Sequence, residues 1–231
     1  TTYDCGEFEA CLNKALNLAD WNGFEARRAA ALERGKLRGI GCASYIQAPV
    51  GAPVEFAAVT VKGDGTVEVP IGTQSSGQGH ETVFPQLVSA LLGVPYDAIR
   101  IVTGDSDVVG TGGGSHSDRS MRIGGIVMRE ATEKVIEKGR QIAADLLEAA
   151  AEDITFTDGS YWVNGPDKTL CLFDVAASVG PQGITAESVF RGRSAAYPNG
   201  AAISEVEIDP STGALVVIVH ATIDDPGRAI N

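Results

Sequence analysis

Residues 72–82 read Gly-Thr-Gln-Ser-Ser-Gly-Gln-Gly-His-Glu-Thr, a loop of small polar residues that leads from a predicted strand into a predicted helix. A second loop, residues 104–120, reads Gly-Asp-Ser-Asp-Val-Val-Gly-Thr-Gly-Gly-Gly-Ser-His-Ser-Asp-Arg-Ser and also connects a strand to a helix. Glycine lets the backbone approach a ligand closely, and the free amides and dipole at the start of a helix favour an anion. Together the two loops predict one extended, phosphate-bearing ligand.

The side chains of these loops supply groups that such a ligand needs. The Gln78 amide can donate and accept hydrogen bonds, a protonated His80 can bind an anion, and the Arg119 guanidinium can hold a phosphate with parallel hydrogen bonds. The plainer alternatives are that both loops are only long turns and that His80 is a surface or capping residue. Neither loop fits Gly-x-x-x-x-Gly-Lys-Ser/Thr, and Thr82 occupies the third glycine position of Gly-x-Gly-x-x-Gly.

Several acidic residues have a structural interpretation beside a chemical one. Asp105 and Asp107 could act as paired carboxylates in acid–base chemistry or metal binding, but such residues commonly close turns. Glu205 and Glu207 alternate with apolar neighbours, which is the pattern of a strand with one solvated face. We therefore expect both glutamates to face water.

The remaining sequence predicts an α+β fold with mixed or antiparallel sheets and packed helices. Apolar residues recur at helical spacing over 6–34, with a break near Asn22-Gly23, and over about 121–151. Short apolar or alternating runs between turn residues predict strands. The predicted strands are 38–47, 54–61, 67–71, 99–102, 154–156, 161–163, 184–190, 202–208 and 214–223, and the other predicted helices are 81–92 and 171–179.

The composition excludes several classes of protein. The chain has 231 residues, of which 44% are hydrophobic and 21% charged, so it can form a core and is not a disordered protein or a disulfide miniprotein. Its net charge of −12 makes nucleic-acid binding unexpected, because phosphate backbones are repelled. No apolar run approaches the ~18 residues of a membrane span, and the cysteines show no metal-binding spacing. We expect a cytoplasmic protein that contacts no membrane.

Several motifs, in sequence order, resemble the large, molybdopterin-binding subunit of the molybdenum hydroxylases, the xanthine dehydrogenase and aldehyde oxidase family. Tyr3-Asp4-Cys5-Gly6 is similar to a run in the branch related to aerobic carbon monoxide dehydrogenase. The resemblance covers nearly the whole chain. The other motifs that carry it are Arg38-Gly39-Ile40-Gly41, Gly77-Gln78-Gly79-His80-Glu81-Thr82, Gly104-Asp105-Ser106-Asp107, Ser117-Asp118-Arg119-Ser120 with Gly124-Gly125, Glu205-Val206-Glu207-Ile208-Asp209 with Thr212-Gly213, and Asp225-Pro226-Gly227-Arg228-Ala229-Ile230-Asn231.

The resemblance implies that the first loop contacts the phosphate part of a molybdopterin cytosine dinucleotide and that the second loop lines the same dinucleotide. Asp118 departs from the family's Gly-Thr-Gly-Gly-Ser-Arg-Ser type of loop, and its carboxylate would repel a nearby diphosphate unless Arg119 or a turn compensates. On the matching positions, the implied cofactor-binding residues are Gly77, Gln78, Gly79, His80, Thr82, Asp105, Ser117, Arg119 and Ser120.

The resemblance also implies a larger protein. The family's catalytic glutamate lies in a Gly-x-Gly-Glu motif that these residues do not contain, so no catalytic and no metal-binding residue is assigned. Residues 1–231 are interpreted as a central fragment of the molybdopterin-binding domain. Its segments are a helical lead-in at 1–38, an α+β unit with both loops at 39–170, and the start of a second α+β unit at 171–231.

The implied enzyme would oxidise an aldehyde, an N-heterocycle or carbon monoxide with a water-derived oxygen. Its implied partners are the remaining segments of the large subunit, iron–sulfur and FAD subunits or domains, and a second copy in a homodimer. We expect the isolated fragment to be inactive, with its cofactor site empty. We also expect the apolar stripe around Val127 to be covered by other segments, since exposed apolar surface drives self-association.

Two other functions remain open from the residues alone. The chain could be a non-catalytic nucleotide-binding or subunit-assembly module in which the glycine-rich loops are only a scaffold. It could also be a hydrolase that uses Asp105 and Asp107 with a divalent ion.

Overall fold

The computed structural model of the chain describes residues 2–48, 51–163, 168–193 and 196–228. The end of the C-terminal motif, Ala229-Ile230-Asn231, lies outside these ranges. None of the helices within them is both long enough and apolar enough to cross a membrane. Their bounds are α1 Phe8–Leu18, α2 Phe24–Glu33, α3 His80–Leu92, α4 Arg119–Leu147, α5 Leu172–Ser178, β1 Leu37–Ile46, β2 Val54–Val61, β3 Val67–Pro70, β4 Ile99–Val102, β5 Ile154–Thr157, β6 Ser160–Val163, β7 Thr169–Cys171, β8 Ile184–Arg191, β9 Asn199–Ile208 and β10 Leu215–Asp225.

The predicted α+β class is confirmed, and the contacts divide the chain into two compact units. The first unit comprises the described residues within Thr1–Pro49 and Ala195–Asn231, and the second comprises those within Val50–Ser194. This grouping differs from the predicted segments 1–38, 39–170 and 171–231. The reason is that β1 and β9, which are far apart in sequence, pair along their full lengths.

The first unit is a three-stranded antiparallel sheet, in the order β1-β9-β10, with α1 and α2 packed on it. The two helices separate at the predicted break, where Asp20 takes a left-handed conformation with φ of 46°. Small side chains let α1 lie close to the sheet, which favours burial of the apolar helix face. The core of this unit is Ala15, Ala19, Ala201, Ile203 and Ala221.

The expectation that both strand glutamates face water is wrong for Glu205. This side chain is fully buried, and its carboxylate accepts hydrogen bonds from Arg27 of α2 at 2.7 Å and from Arg38 of β1 at 3.0 Å. Glu207 pairs with Arg34 and Arg38, both at 2.7 Å. Alternation of polar and apolar residues defines two strand faces without saying which face is covered. Here the charged face lies beneath α2 because arginines of α2 and β1 supply the counter-charges.

The second unit is built on a mixed four-stranded sheet in the order β4-β3-β2-β8, in which β3 and β4 are parallel. The long helix α4 packs across β2 and β8, so Val127 is fully buried by the unit's own sheet. The expectation that other segments must cover the stripe around Val127 is therefore wrong. A small antiparallel sheet, β5-β6-β7, follows α4. The helix ends earlier than predicted because Glu148 adopts a left-handed conformation, with φ of 51°.

Gly139 of α4 gives a test of this packing. A Cβ at Gly139 would overlap the hydroxyl of Tyr161, which is buried and donates to the Ile136 carbonyl at 3.0 Å. We expect Gly139→Ala to lower the free energy of unfolding by about 1–3 kcal/mol through overpacking, as measured by urea denaturation.

Gly125→Ala in the same helix is the matched control. Its nearest neighbour would be the flexible Met121 sulfur at 3.2 Å, so the substitution is expected to gain up to about 1 kcal/mol of helix propensity. Equal stability of the two variants would contradict the packing described for α4.

The acidic side chains of β9 and its turn predict how the first unit responds to pH. The hydrogen bond from Arg38 lowers the pKa of Glu207. The hydrogen bond from Lys36, at 2.6 Å, holds the pKa of Asp209 well below its usual range. Because the folded pKa values lie below the unfolded values of 4.5 and 3.8, both groups stabilise the fold above that range. Their contribution is lost as the pH falls through the folded values.

We expect amide hydrogen exchange along β9 to accelerate on acidification below about pH 4.5, after correction for the intrinsic exchange rate. Lys36→Met removes the main cause of the low Asp209 pKa and should flatten this acid response. Lys62→Met, which breaks an ion pair with Glu68 in the second unit, is the control and should leave the response unchanged. An unaltered acid response in the Lys36 variant would refute the assignment.

Candidate functional site

The two glycine-rich loops meet at their bases within the second unit. Gly72 and Gly112 pack so closely that a Cβ on either would overlap the backbone of the other. The Thr73 hydroxyl donates to the Gly114 carbonyl at 3.0 Å and lies 3.0 Å from the Ser120 hydroxyl. The structure therefore brings together two segments that the sequence separates by a helix and a strand.

The first loop presents open space at its two central glycines. Gly77 and Gly79 have positive φ angles of 106° and 75°, and a Cβ on either would meet no atom within 4 Å. These glycines serve the left-handed backbone conformation and leave the surface free for a ligand. Gln78 is exposed, and its side-chain oxygen accepts from the Ser76 amide at 2.5 Å. The amide nitrogen, with two donors, takes no part in that bond.

His80 is the first residue of α3, and the structure rules out the surface alternative for it. Its side chain is 5% exposed and stacks on Phe84 with ring centroids 4.5 Å apart. Among the described residues its Nδ1 has no hydrogen-bond partner. A buried polar atom without a partner carries a desolvation cost, which a ligand could remove. Gly79 precedes the helix and has no side chain that could cap it.

A polar cavity of about 450 Å³ lies between the two loops. Gln74 lines it from the first loop, and Asp105, Ser106 and Thr111 line it from the second. Glycine backbone at 72, 104, 110 and 112 forms much of the remaining wall. This composition suits a polar ligand that is held by backbone amides as well as by side chains.

The acidic start of the second loop has the structure of a turn. The Asp105 carboxylate accepts from the Asp107 amide at 3.0 Å, and the Asp105 carbonyl accepts from the Val109 amide at 2.8 Å. Both aspartates are exposed. Within the described ranges, no group of three or more His, Cys, Asp or Glu side chains could hold a metal ion. The turn-closing interpretation therefore accounts for Asp105.

Arg119 does not present its guanidinium to a ligand. The side chain is fully buried and pairs with the buried Glu55 of β2, Nη1 to Oε2 being 2.5 Å. Within the described part of the chain it also donates to the carbonyls of Ala52, Val54 and Gly114. The guanidinium that was predicted to hold a phosphate therefore pairs with the Glu55 carboxylate inside the protein. The sequence assigns no role to Glu55, and its signal there is a charge within a strand whose other residues are apolar apart from Thr60.

The remaining predicted residues lie at the beginnings of the two helices. Thr82 is exposed in the first turn of α3, and Ser117 and Asp118 are exposed before α4 with left-handed φ angles of 49° and 52°. Burial lowers the pKa of Arg122, and the Asp118 carboxylate acts against this. Asp118 lies in a turn before α4, which agrees with the alternative that a turn accommodates its carboxylate. Ser120 is partly buried and lies 3.0 Å from both Thr73 and Ser115.

Comparison with known proteins identifies what this arrangement is similar to. Residues 14–231 match the family model described as molybdopterin cofactor-binding domain. The gamma subunit of the 6-hydroxypseudooxynicotine dehydrogenase complex of Paenarthrobacter nicotinovorans is 32% identical over 99% of this chain and 30% of its own length. The carbon monoxide dehydrogenase large chain of Hydrogenophaga pseudoflava is 28% identical over 99% of this chain and 31% of its own length.

Solved structures show the same fold. A Cu,Mo-CO dehydrogenase shares 26% identity, with a TM-score of 0.82 over 96% of this chain and 31% of that chain. Quinoline 2-oxidoreductase from Pseudomonas putida 86 shares 29% identity, with a TM-score of 0.81 over 95% of this chain and 31% of that chain. The chain thus spans about 30% of the length of the curated relatives it matches.

The crossing of Gly72 and Gly112 gives a test of the site geometry. We expect Gly72→Ala to destabilise the protein by about 1–3 kcal/mol, because the added Cβ overlaps both Glu55 and Gly112. Gly110→Ala, where a Cβ would meet no atom within 4 Å, is the control and should stay within about 0.5 kcal/mol of the parent. Thermal and urea denaturation measure both, and a fully tolerated alanine at 72 would rule out the close crossing.

Proposed function

Because this chain belongs to the molybdopterin cofactor-binding domain family of molybdenum hydroxylase large subunits, we propose that its glycine-rich loops hold the dinucleotide tail of a molybdopterin cofactor. We further propose the cytosine dinucleotide form, which the first-loop motif Gly77-Gln78-Gly79-His80 implies. The single observation that carries the proposal is the buried, unpartnered Nδ1 of His80 beside the open glycine backbone of that loop.

The described residues fit such a group. The amides that open α3 carry the positive end of the helix dipole, which favours a diphosphate. Gln78 offers two donors, and the hydroxyls of Thr82 and Ser117 are exposed for further hydrogen bonds. We assign Gly77 and Gly79 the role of allowing close backbone approach, and Asp105 and Ser120 the role of shaping the second loop. We assign Arg119 a supporting role, in which its buried guanidinium holds the backbone of the second loop.

The whole protein is proposed to be an oxidoreductase. When bound, the molybdenum cofactor would supply the oxidation of an aldehyde, an N-heterocycle or carbon monoxide with an oxygen from water. The residues of this chain would contribute binding and orientation of the cofactor tail. Iron–sulfur and FAD subunits or domains, further large-subunit segments and a second copy of the enzyme are the proposed partners. Support comes from relatives named as a complex subunit and as a large chain.

The isolated chain has a narrower proposed role than the whole enzyme. We assign the loop side chains binding and orientation only, because the sequence lacks the Gly-x-Gly-Glu motif to which the family resemblance assigns catalysis. We therefore propose that the isolated chain has no hydroxylase turnover. Measured turnover by the isolated 231-residue chain would overturn that part of the proposal.

The cofactor assignment is tested on the full-length large subunit made in a host that synthesises molybdopterin cytosine dinucleotide. Acid treatment of the purified protein is expected to release one cytidine nucleotide for each large subunit. His80→Phe keeps a ring to stack on Phe84 but removes Nδ1, and Gln78→Ala removes the side-chain donors. Each is expected to lower the retained nucleotide about tenfold, since a hydrogen bond to a charged group contributes about 1.5–3 kcal/mol.

Matched controls lie on the same chain. Gln86→Ala changes an exposed residue of α3, and His220→Phe changes an exposed histidine of the first unit, so both should retain nucleotide like the parent. Folded wild-type protein without nucleotide or molybdenum, still performing its native task, would contradict the proposal and favour the assembly-module alternative.

A further inference from the structure

The Glu55–Arg119 ion pair ties together three segments of the second unit. Arg119 is the first residue of α4 and reaches the Ala52 and Val54 carbonyls at the start of β2, at 3.2 and 2.8 Å. It also donates to the Gly114 carbonyl of the second loop at 2.6 Å. Glu55 completes the connection by accepting from the Gly113 amide at 3.3 Å. The two charges are therefore bonded to each other and to the same stretch of loop backbone, Gly113 and Gly114.

The surrounding glycines show how closely the loop is held. A Cβ at Gly113 would overlap the Arg119 guanidinium, and a Cβ at Gly72 would overlap the Glu55 carboxylate. The pair thus lies directly against backbone of both loops, with no side chain between. Because both charges are fully buried, neither can leave its partner without a large desolvation cost. The loop backbone at 113–114 consequently has little freedom to move away from β2.

We infer that Glu55 is a positioning residue for the cofactor site, acting through Arg119 and the backbone of Gly113 and Gly114 to fix the second glycine-rich loop against the first. This inference rests on the proposed function for the identity of the ligand. In this arrangement the Arg119 charge is neutralised inside the protein by Glu55. The second loop then offers the ligand its rigid backbone and its hydroxyl groups. Pre-organised donors bind more tightly because less conformational freedom is lost on binding.

The test uses the full-length large subunit with Glu55→Gln, a nearly isosteric change that removes the charge. Glu68→Gln, which breaks the partly exposed ion pair with Lys62 in the same unit, is the control. Two readouts are taken at a temperature where circular dichroism shows all samples folded. One is the rate at which the cofactor is released after dilution, assayed as cytidine nucleotide after acid treatment of the released fraction, and the other is hydrogen exchange of the Gly113 and Gly114 amides in cofactor-free protein.

We expect Glu55→Gln to release the cofactor about tenfold faster or more. Effects of this size are found for outer-shell residues that orient the side chains bound to a metal ion. We also expect it to increase exchange at Gly113 and Gly114, with no change in Glu68→Gln. A variant that only melts at a lower temperature, with both readouts unchanged while folded, would overturn the inference. If Glu55→Gln does not accumulate as folded protein, Glu55→Asp, which withdraws the carboxylate by one methylene, is read by the same criteria.

The design separates this inference from the proposed function. If the parent protein holds no nucleotide, the proposed function fails, and the exchange of Gly113 and Gly114 still decides whether Glu55 fixes the loop. If the parent holds nucleotide and Glu55→Gln holds it equally well with unchanged exchange, only the positioning role fails.

Discussion

The pairing of two buried charges, on Glu55 and Arg119, is the constraint on which the rest of the site depends. An unpaired charge inside the second unit would be strongly destabilising, so β2 and the start of α4 must come together for this fold to form. Once they do, the backbone of the second loop fills the remaining space around the guanidinium. A side chain at 113 would overlap the guanidinium, and a side chain at 72 or 112 would overlap the backbone of the other loop, which explains the glycines at these three positions.

The glycines of the site consequently have two different roles that sequence cannot separate. Gly72 and Gly112 are required by packing, since the added Cβ would collide with backbone. Gly77 and Gly79 are required by backbone conformation, since their surroundings are open and their φ angles are positive. Only the second class has open space beside the backbone. A glycine-rich stretch therefore predicts that other atoms approach the backbone closely. In this protein those atoms belong partly to the other glycine-rich loop.

Most elements could be predicted because periodicity and turn residues act locally. Val54–Val61 is a strand as predicted, and α3 begins one residue before the predicted 81. The failures concern long-range partners. Glu205 was expected to face water, but α2 covers that face and supplies Arg27. Arg119 was expected to bind phosphate, but its partner is a glutamate distant in sequence. Local patterns identify which residues carry charge, and only tertiary contacts decide what each charge meets.

The pairing of Arg119 with Glu55 limits the charged groups that this site offers to an anion. The chain carries a net charge of −12, so its long-range field opposes an anionic ligand. With the Arg119 guanidinium neutralised by Glu55, the proposed attraction comes from short-range donors at the first loop: helix-start amides, the Gln78 amide and His80. Such donors are effective only when they are correctly placed, because each contributes over a single hydrogen-bond length. An acidic domain that holds a diphosphate in the proposed way would therefore need a rigid loop more than positive charge, and the inferred positioning role of the buried ion pair would meet that need.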